Sequence, residues 1–523
     1  MILINSGAYV IPEFQAEIGK IPPCFLPVGN KKLIEHQVEA LKQKFNEDVF
    51  VTLPMSYTLS SEESKLLDEL DVSLIQTSDK FSLSEAILFA LNICDLDSQE
   101  PIRLLHGDTL LPFIDLEQDL DCIGVAEPKL SYNWQTAYVH NDIPMVWCGF
   151  FSFSSKQLLM KSLALSQGDF IEAIKNYNVQ RNLDYQIFKH WHDLGHINTY
   201  FKSRSKITTE RAFNSLEIHE NILTKKGQPA KKIQAEALWF DSIPRVLKVF
   251  TPQLINYELG ETSFYQLEYL PILPLNELFV HGKKNNYEWL HVIKQAQRFM
   301  AYCNKACIVE EQKALINDDF YDLVYTKTKI RIEQYSKESG IDLNQPFIIN
   351  KHNVPSINEI IENCTKKILA LPSVHGILHG DLCFSNMLFD NRSDQLKIID
   401  PRGLNSNNDF TIFGDQKYDL AKLTHSVIGL YDYIIAGRYK YDEESNYNLN
   451  LSFDIDKEIV NLQKTFLTTP FFKGITPKDI MPLVVLLFLS MLPLHSDRKD
   501  RQKAMLANSL RFYDKYVKIE NFC

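Results

Sequence analysis

Short apolar runs alternate with stretches of helical periodicity over roughly the first 200 residues of this chain. The runs at 2–5, 49–53, 72–76, 102–106, 122–126 and 146–152 have strand length and are rich in Ile, Val, Leu and Phe. Between them, 33–45, 62–69 and 84–92 carry apolar residues at the spacing of a helix face. Strands alternating with helices predict a mostly parallel, doubly wound α/β sheet, a Rossmann-like arrangement. Near 202–209 the pattern breaks into a charged, Ser/Thr-rich stretch, where a domain junction is expected. From there to about residue 282 the chain reads as a small β-rich lobe. After Tyr287 it is largely helical. The expected division is therefore 1–204 and 205–523. No internal repeat is visible, and the two His-Gly-Asp triplets, at His106 and His379, sit in different surroundings.

A length of 523 residues exceeds what one core serves, in keeping with two or three domains. The net charge of -11, with no local run of Lys and Arg, argues against a nucleic-acid partner. Nine cysteines include no zinc-type CxxC pair, and free thiols at this density suit a reducing compartment. Cys303 and Cys307 lie in a helical pattern and are expected to pack rather than bind metal. The start, Met1-Ile2-Leu3-Ile4-Asn5-Ser6-Gly7, reads as a first strand running into a turn, not as a signal peptide. The most apolar segment, 480–494, is too short for a membrane span and contains Pro482 and Pro493, so a buried helix is expected. The expected location is cytoplasmic, with no transmembrane segment.

The most informative stretch is His379-Gly380-Asp381-Leu382-Cys383-Phe384-Ser385-Asn386, followed by Leu396-Lys397-Ile398-Ile399-Asp400. Its H-x-D-x-x-x-x-N spacing places a carboxylate and an amide on one loop, and a second Asp arrives one hairpin later. Phosphoryl transfer needs such parts. Asp381 is the candidate catalytic residue, accepting the proton of an attacking hydroxyl. Asn386 and Asp400 are candidate ligands for Mg²⁺. Met387-Leu388-Phe389 and Leu396-Lys397-Ile398-Ile399 read as the two strands of the hairpin. The alternative is a strand-end Asp and an HGD turn that coincide without function.

With that loop and the lobe order in place, the segment from about 215 onward resembles the aminoglycoside phosphotransferase and choline kinase superfamily. The resemblance implies a bilobal protein-kinase-like domain that binds ATP and Mg²⁺ between its lobes. In that family a strand Lys contacts the phosphates and pairs with a helix Glu; Lys225, with Lys226 close behind, and Glu236 match those positions. The alternative is a solvated basic turn of Lys225, Lys226, Lys231 and Lys232. Tyr265-Gln266-Leu267-Glu268-Tyr269-Leu270 resembles the hinge strand, which puts Glu268 at the nucleotide. Asp419, in Gly414-Asp415-Gln416-Lys417-Tyr418-Asp419-Leu420-Ala421, corresponds to a residue bracing the catalytic loop. Asp400-Pro401-Arg402-Gly403 departs from the family's pattern. It puts Arg402 either beside the transferred phosphate, as a substrate-binding group, or in a pair with Asp415 or Asp419.

The N-terminal part resembles sugar-1-phosphate and phosphocholine nucleotidyltransferases. Leu26-Pro27-Val28-Gly29-Asn30-Lys31-Lys32-Leu33-Ile34-Glu35-His36-Gln37 matches the helix start after their signature loop. His106-Gly107-Asp108-Thr109-Leu110 and Trp191-His192-Asp193-Leu194-Gly195-His196 match the elements that supply two metal carboxylates. The resemblance thus implies Asp108 and Asp193 as metal ligands, Ser6 and Gly7 at the nucleotide, and 76–86 as the base-reading stretch. Two strand-end or turn carboxylates without metal are the alternative. The signature loop itself departs: Ser6-Gly7-Ala8-Tyr9-Val10-Ile11 has one Gly and no Arg, and Pro23 stands where Lys is expected, with Lys20 three residues early. Arg204 and Arg211-Ala212-Phe213-Asn214 resemble a linker in fused proteins of bacterial surface-polysaccharide synthesis.

These features together predict a kinase that phosphorylates a hydroxyl of a small alcohol, amino alcohol or sugar. The fused domain would convert the product to a nucleotide-activated form with a second NTP (CTP, UTP or GTP), or hold it. A single-activity kinase with a scaffolding N-terminal domain is one alternative, and a non-catalytic nucleotide-binding regulator is another. A protein kinase is disfavoured because no A-P-E segment follows Asp400. The sequence assigns neither the acceptor nor an oligomeric state.

Overall fold

A computed structural model describes residues 1–518 except 30, 95–99, 118, 131 and 208–213, with the side chains of 205, 206, 214 and 215 also set aside. Arg211, Ala212 and Phe213 of the linker motif thus lie outside the described residues. The chain divides into two units: Met1–Thr209 with His281–Lys283, and Glu210–Val280 with Lys284–Cys523. The junction expected at 204/205 falls inside a helix, Ile197–Ile207, whose hydrogen bonding carries the chain through the Ser- and Lys-rich stretch.

The first unit is built on an eight-stranded sheet. Its central strand, Ile2–Asn5, pairs in parallel with Val49–Pro54 on one side and Ile102–His106 on the other. Val72–Thr77 extends the sheet in parallel beyond Val49–Pro54. Ile2, Leu3 and Ile4 are wholly buried, as a strand covered on both faces requires. The long strand Ile143–Phe153 runs antiparallel to both Ile102–His106 and Cys122–Ala126, so the sheet is mixed. Periodicity reveals that a segment is a strand but carries no information about its direction. The helices Leu33–Lys44, Ser61–Glu69 and Leu83–Ile93 fall where the helical patterns lie. The last two begin with Ser60 and Ser82, each accepting the N–H of a Glu three residues on while that Glu returns a bond.

Asn5, Thr52 and His106 lie in register, so three strands end side by side and their loops share one edge. That carboxyl edge is where open α/β sheets hold ligands.

The second unit starts with a four-stranded antiparallel sheet in the order Asn214–His219, Ile222–Gly227, Phe264–Glu268, Leu254–Glu258, next to the helix Ala230–Ser242. The first hairpin turns through Glu220 and Asn221, both at positive φ (48° and 64°), the conformation that matches strand twist in a two-residue turn. The rest is mainly helical. At its centre lies Met481–Met491, every residue of which is buried. This helix is the apolar stretch expected to be internal. Among the described residues no helix is long and apolar enough to cross a membrane. The antiparallel hairpin Met387–Asp390/Gln395–Ile398 follows the HGD loop, formed by the two runs that read as its strands.

Candidate functional site

Adjacent residues of a strand face opposite sides, and this separates Lys225 from Lys226. Lys226 is exposed and lies 3.5 Å from Glu217. Lys225 is only 4% exposed, and its Nζ donates to Glu236 Oε2 at 2.7 Å and to Asp400 Oδ1 at 2.9 Å. Tyr265, opposite Lys225 in the sheet, donates its hydroxyl to the same Glu236 oxygen at 2.8 Å. Burial pulls the Lys225 pKa down, but Asp400 and Glu236 outweigh it and raise it, so the ammonium stays charged. One buried cation therefore ties the small sheet, its helix and the hairpin end together.

The HGD loop is held from several directions. Trp239 Nε1 donates to Leu378 O at 2.9 Å just before it. Asp419, in the first turn of the helix Lys417–Val427, accepts the N–H groups of His379 and Gly380, each at 2.8 Å. Burial pushes the Asp419 carboxyl up to about 7, against the pull of those two donors. His379 is wholly buried, and burial lowers its pKa to about 4, so its ring is neutral. Its Nε2 meets Ile399 O at 3.0 Å while Nδ1 accepts the Asp381 N–H at 3.3 Å. One imidazole thus fixes the residue before Asp400 relative to Asp381.

Asp381 lies at the mouth of the loop with its side chain 42% exposed. Asn386 Nδ2 donates to Asp381 Oδ2 at 3.0 Å and to its carbonyl at 2.9 Å. Lys422 Nζ stands 3.0 Å from Asp381 Oδ1. Loss of water would raise the Asp381 pKa, but the Lys422 ammonium prevails and holds it at about 2. Asp400 adopts a left-handed backbone at φ 57°, a conformation uncommon for a residue with a Cβ and typical of functional sites. Its side chain is 34% exposed, with one oxygen on Lys225.

Because Asn386 spends its amino group on Asp381, its carbonyl oxygen and the Asp400 carboxylate are the oxygens left for a metal. Hard oxygen donors in that number fit Mg²⁺, which keeps waters and phosphate oxygens for its other positions. Among the described residues no group of three or more His, Cys, Asp or Glu forms a metal cluster.

Glu268 closes its strand with an exposed side chain, and its N–H is committed to Gln253 O at 2.9 Å. The Tyr269 N–H goes to Asn221 O at 2.8 Å. The N–H of the next residue, Leu270, has no acceptor among the described residues. Arg402 pairs with neither Asp415 nor Asp419: Asp415 has Lys417 at 3.4 Å, and Asp419 holds the loop. The Arg402 N–H donates to His379 O at 2.8 Å, and its guanidinium Nη1 is buried without a partner. Gly380 makes room for it; a Cβ there, at φ 81°, would stand 2.6 Å from Arg402 Cβ.

In the first unit, Gln37 on the helix Leu33–Lys44 donates to the carbonyls of His106, Gly107 and Thr109 at 3.1, 3.3 and 2.7 Å, bracing the turn that carries Asp108. The pairing of Asp193 with Thr109 brings the second carboxylate alongside. Burial and the Asp193 charge raise Asp108 to about 6. Gly195 leaves room for the Asp108 carboxylate, since a Cβ there would meet Asp108 Oδ2 at 2.3 Å. Asp193 accepts from Thr199 Oγ1 and lies 3.3 Å from His196 Nδ1. The His196 ring stacks on Tyr132 at 4.3 Å, and Trp134 stands edge-on to it. Tyr132, Trp134 and Lys129 border a cavity of about 400 Å³ that no sequence motif announced.

Ser6 is buried. Its hydroxyl accepts the Cys24 N–H at 3.0 Å and its own N–H goes to Thr52 Oγ1 at 2.9 Å. Gly7 packs on the 76–86 stretch, where a Cβ would come 2.5 Å from Thr77 Oγ1. Lys20 is exposed, with Nζ 4.1 Å from the Tyr9 ring centre. Pro23 begins a 3₁₀ turn and offers no charge.

No protein-family model matches the chain, and no curated protein matches it. Among solved structures it is similar to a nucleoside-diphosphate-sugar pyrophosphorylase from Vibrio cholerae RC9, at 18% identity over 39% of this chain and 99% of that one, with a TM-score of 0.33. It is also similar to the inositol-1-phosphate CTP transferase from T. maritima, at 12% identity, 40% and 97% coverage and a TM-score of 0.30. A third likeness is to a choline/ethanolamine kinase family protein from Mesorhizobium loti, at 11% identity, 58% and 86% coverage and a TM-score of 0.34. Function is therefore read from this chain's own side chains.

Proposed function

We propose that the second unit is an ATP-dependent phosphotransferase acting on a hydroxyl of a small molecule, and that the first is a nucleotidyltransferase-like domain serving the same product. The observation that carries the kinase reading is the buried Lys225, shared by Glu236 and Asp400, with Asp381 and Asn386 on the adjoining loop. Lys225 binds phosphate oxygens, and Glu236, tethered by Tyr265, fixes its direction. The free Leu270 N–H is the donor for the adenine edge. Asp381, kept ionised by Lys422, orients the acceptor hydroxyl by accepting its hydrogen bond. With a pKa of about 2 it is a weak base, so it takes the proton only as the new O–P bond forms. Asn386 and Asp400 would hold Mg²⁺, which would supply neutralisation of charge on the phosphate oxygens.

In the first unit Asp108 and Asp193 would hold a second Mg²⁺ for a nucleotide or a phosphorylated ligand. The loop at Ser6 and Gly7 supplies few donors for a triphosphate, which favours weak binding and slow release of pyrophosphate.

The test is ATP consumption by the full chain across a panel of sugars, polyols, amino alcohols and hydroxy acids, followed by CTP, UTP or GTP with pyrophosphate detection. No acceptor-dependent ADP release from any member, with intact MgATP binding, would leave a nucleotide-binding regulator in place of the kinase.

A further inference from the structure

Beyond the groups assigned to ATP and metal, three cations lie within electrostatic reach of Lys327, and two of them adjoin the HGD loop, Arg402 at Gly380 and Lys422 at Asp381. Lys327 and Arg331 lie one turn apart on the helix Lys327–Ser339, Arg402 follows the hairpin, and Lys422 stands on the helix Lys417–Val427. Lys422 is committed to Asp381 at 3.0 Å, and Arg331 Nη1 donates to Ser490 O at 3.1 Å. The other two have spare capacity. Lys327 Nζ has no hydrogen-bond partner among the described residues, and Arg402 Nη1 is buried without one. Burial, then repulsion from Arg402, Arg331 and Lys422, pushes Lys327 down to about 7, with Asp319 the one acid that offsets them. Asp319 is itself engaged by the Ser406 N–H. Positive groups packed together around one weakly opposed charge form a site short of an anion.

ATP does not supply that anion, because Lys225 and the metal ligands Asn386 and Asp400 already serve its phosphates. Lys422 ties the cation cluster to Asp381, the residue that faces the acceptor. We propose that the acceptor is itself an anion: a small hydroxy compound bearing a carboxylate or phosphate, held by Lys327 and Arg402 while its hydroxyl meets Asp381. This rests on the kinase reading and names its substrate class; a choline-like cation would meet four like charges here. The reaction moves the γ-phosphoryl group to the acceptor oxygen, breaking the bond to the β-phosphate oxygen, with the hydroxyl proton leaving through Asp381.

The test uses the full chain saturated with Mg²⁺ and adenylyl imidodiphosphate, a non-hydrolysable ATP analogue that fills the γ-phosphoryl position. Calorimetry then compares glycerate with glycerol and ethanolamine, which share its size and differ in charge. Glycerate is expected to bind at least about tenfold more tightly than either. Lys327→Met is expected to remove that preference while leaving affinity for the analogue within about twofold, and Lys327→Gln to do the same. Three outcomes overturn the proposal: ethanolamine binding as well as glycerate, no saturable glycerate binding, or an equal loss of analogue and glycerate binding in both variants. Titrating glycerate without nucleotide separates the two readings. Retained glycerate binding in a chain that does not bind the analogue would sink the kinase reading and keep the anion site.

Discussion

Lys422 Nζ stands 3.0 Å from Asp381 Oδ1, and this contact sets the charge state of the HGD loop's carboxylate. It keeps Asp381 ionised at every physiological pH and aims one oxygen away from Asn386, which holds the other. Asp381→Asn removes the acceptor of the substrate's hydrogen bond but not the groups assigned to ATP. Turnover is expected to fall by roughly 10²–10⁴-fold with MgATP affinity nearly unchanged. Lys422→Met, leaving Asp381 held by Asn386 alone, should cost about tenfold in kcat, again with little change for MgATP. Steady-state kinetics with an identified acceptor, together with calorimetry for MgATP, checks both.

Asp400, proposed as a metal ligand, is expected to behave differently. Asp400→Asn is expected to weaken MgATP binding and lower turnover together, since it removes a metal oxygen and half of the clamp on Lys225. Glu236→Ala should destabilise the fold as well, because it leaves the buried Lys225 ammonium with Asp400 alone, at a cost of up to about 3–5 kcal/mol. Denaturant unfolding beside nucleotide titration distinguishes the two effects.

Much of this was legible in the chain. Ile2–Asn5 and Ile102–His106 announced themselves because strands buried on both faces need unbroken apolar runs. His379, Asp381, Asn386 and Asp400 were legible because a loop and one hairpin keep them together in sequence. Lys422 was within reach, three residues after Asp419 on the same helix face. The antiparallel course of Ile143–Phe153 was not, nor were the helices Lys156–Leu165 and Phe170–Gln180 recognised beside it. Lys327 and Arg331 carry no motif that sets them apart from other charged helix residues. Their meaning comes from Arg402 and Lys422, far along the chain, and only packing brings those together.

Lys327 provides a pH signature. Its pKa lies at about 7 in the folded chain against an ordinary 10.5, so the unfolded chain binds the extra proton between those values. Stability should therefore rise with pH from 7 toward 10.5, and the penalty of holding this charge is full below pH 7. Lys327→Met is expected to raise the thermal midpoint most at about pH 6, with the gain shrinking toward about pH 9. Anions that fill the site should stabilise the wild type by more at low pH than at high pH. Thermal unfolding of both proteins across that range, with and without glycerate, measures each effect. An equal gain at both ends of the range would show that Lys327 carries no depressed pKa.

The first unit can be tested at Gly195 without removing a carboxylate. A methyl group there would lie 2.3 Å from Asp108 Oδ2, closer than a real contact, so Gly195→Ala is expected to displace the Asp108 carboxylate. If the two carboxylates hold Mg²⁺ for a nucleotide or phosphorylated ligand, Gly195→Ala and Asp108→Ala should both abolish that binding. ATP-dependent phosphorylation by the second unit, which uses none of these residues, should stay unchanged. Calorimetry of the full chain with CTP, UTP and GTP, with and without Mg²⁺, reads the loss directly. Binding is expected to be weak, because the Ser6 N–H is already given to Thr52 Oγ1 and Pro23 offers no cation. Tight binding with rapid pyrophosphate release would instead mark Lys20, beside Tyr9, as the group that has taken over the missing charge. In that event Lys20→Met should abolish release while Gly195→Ala abolishes binding.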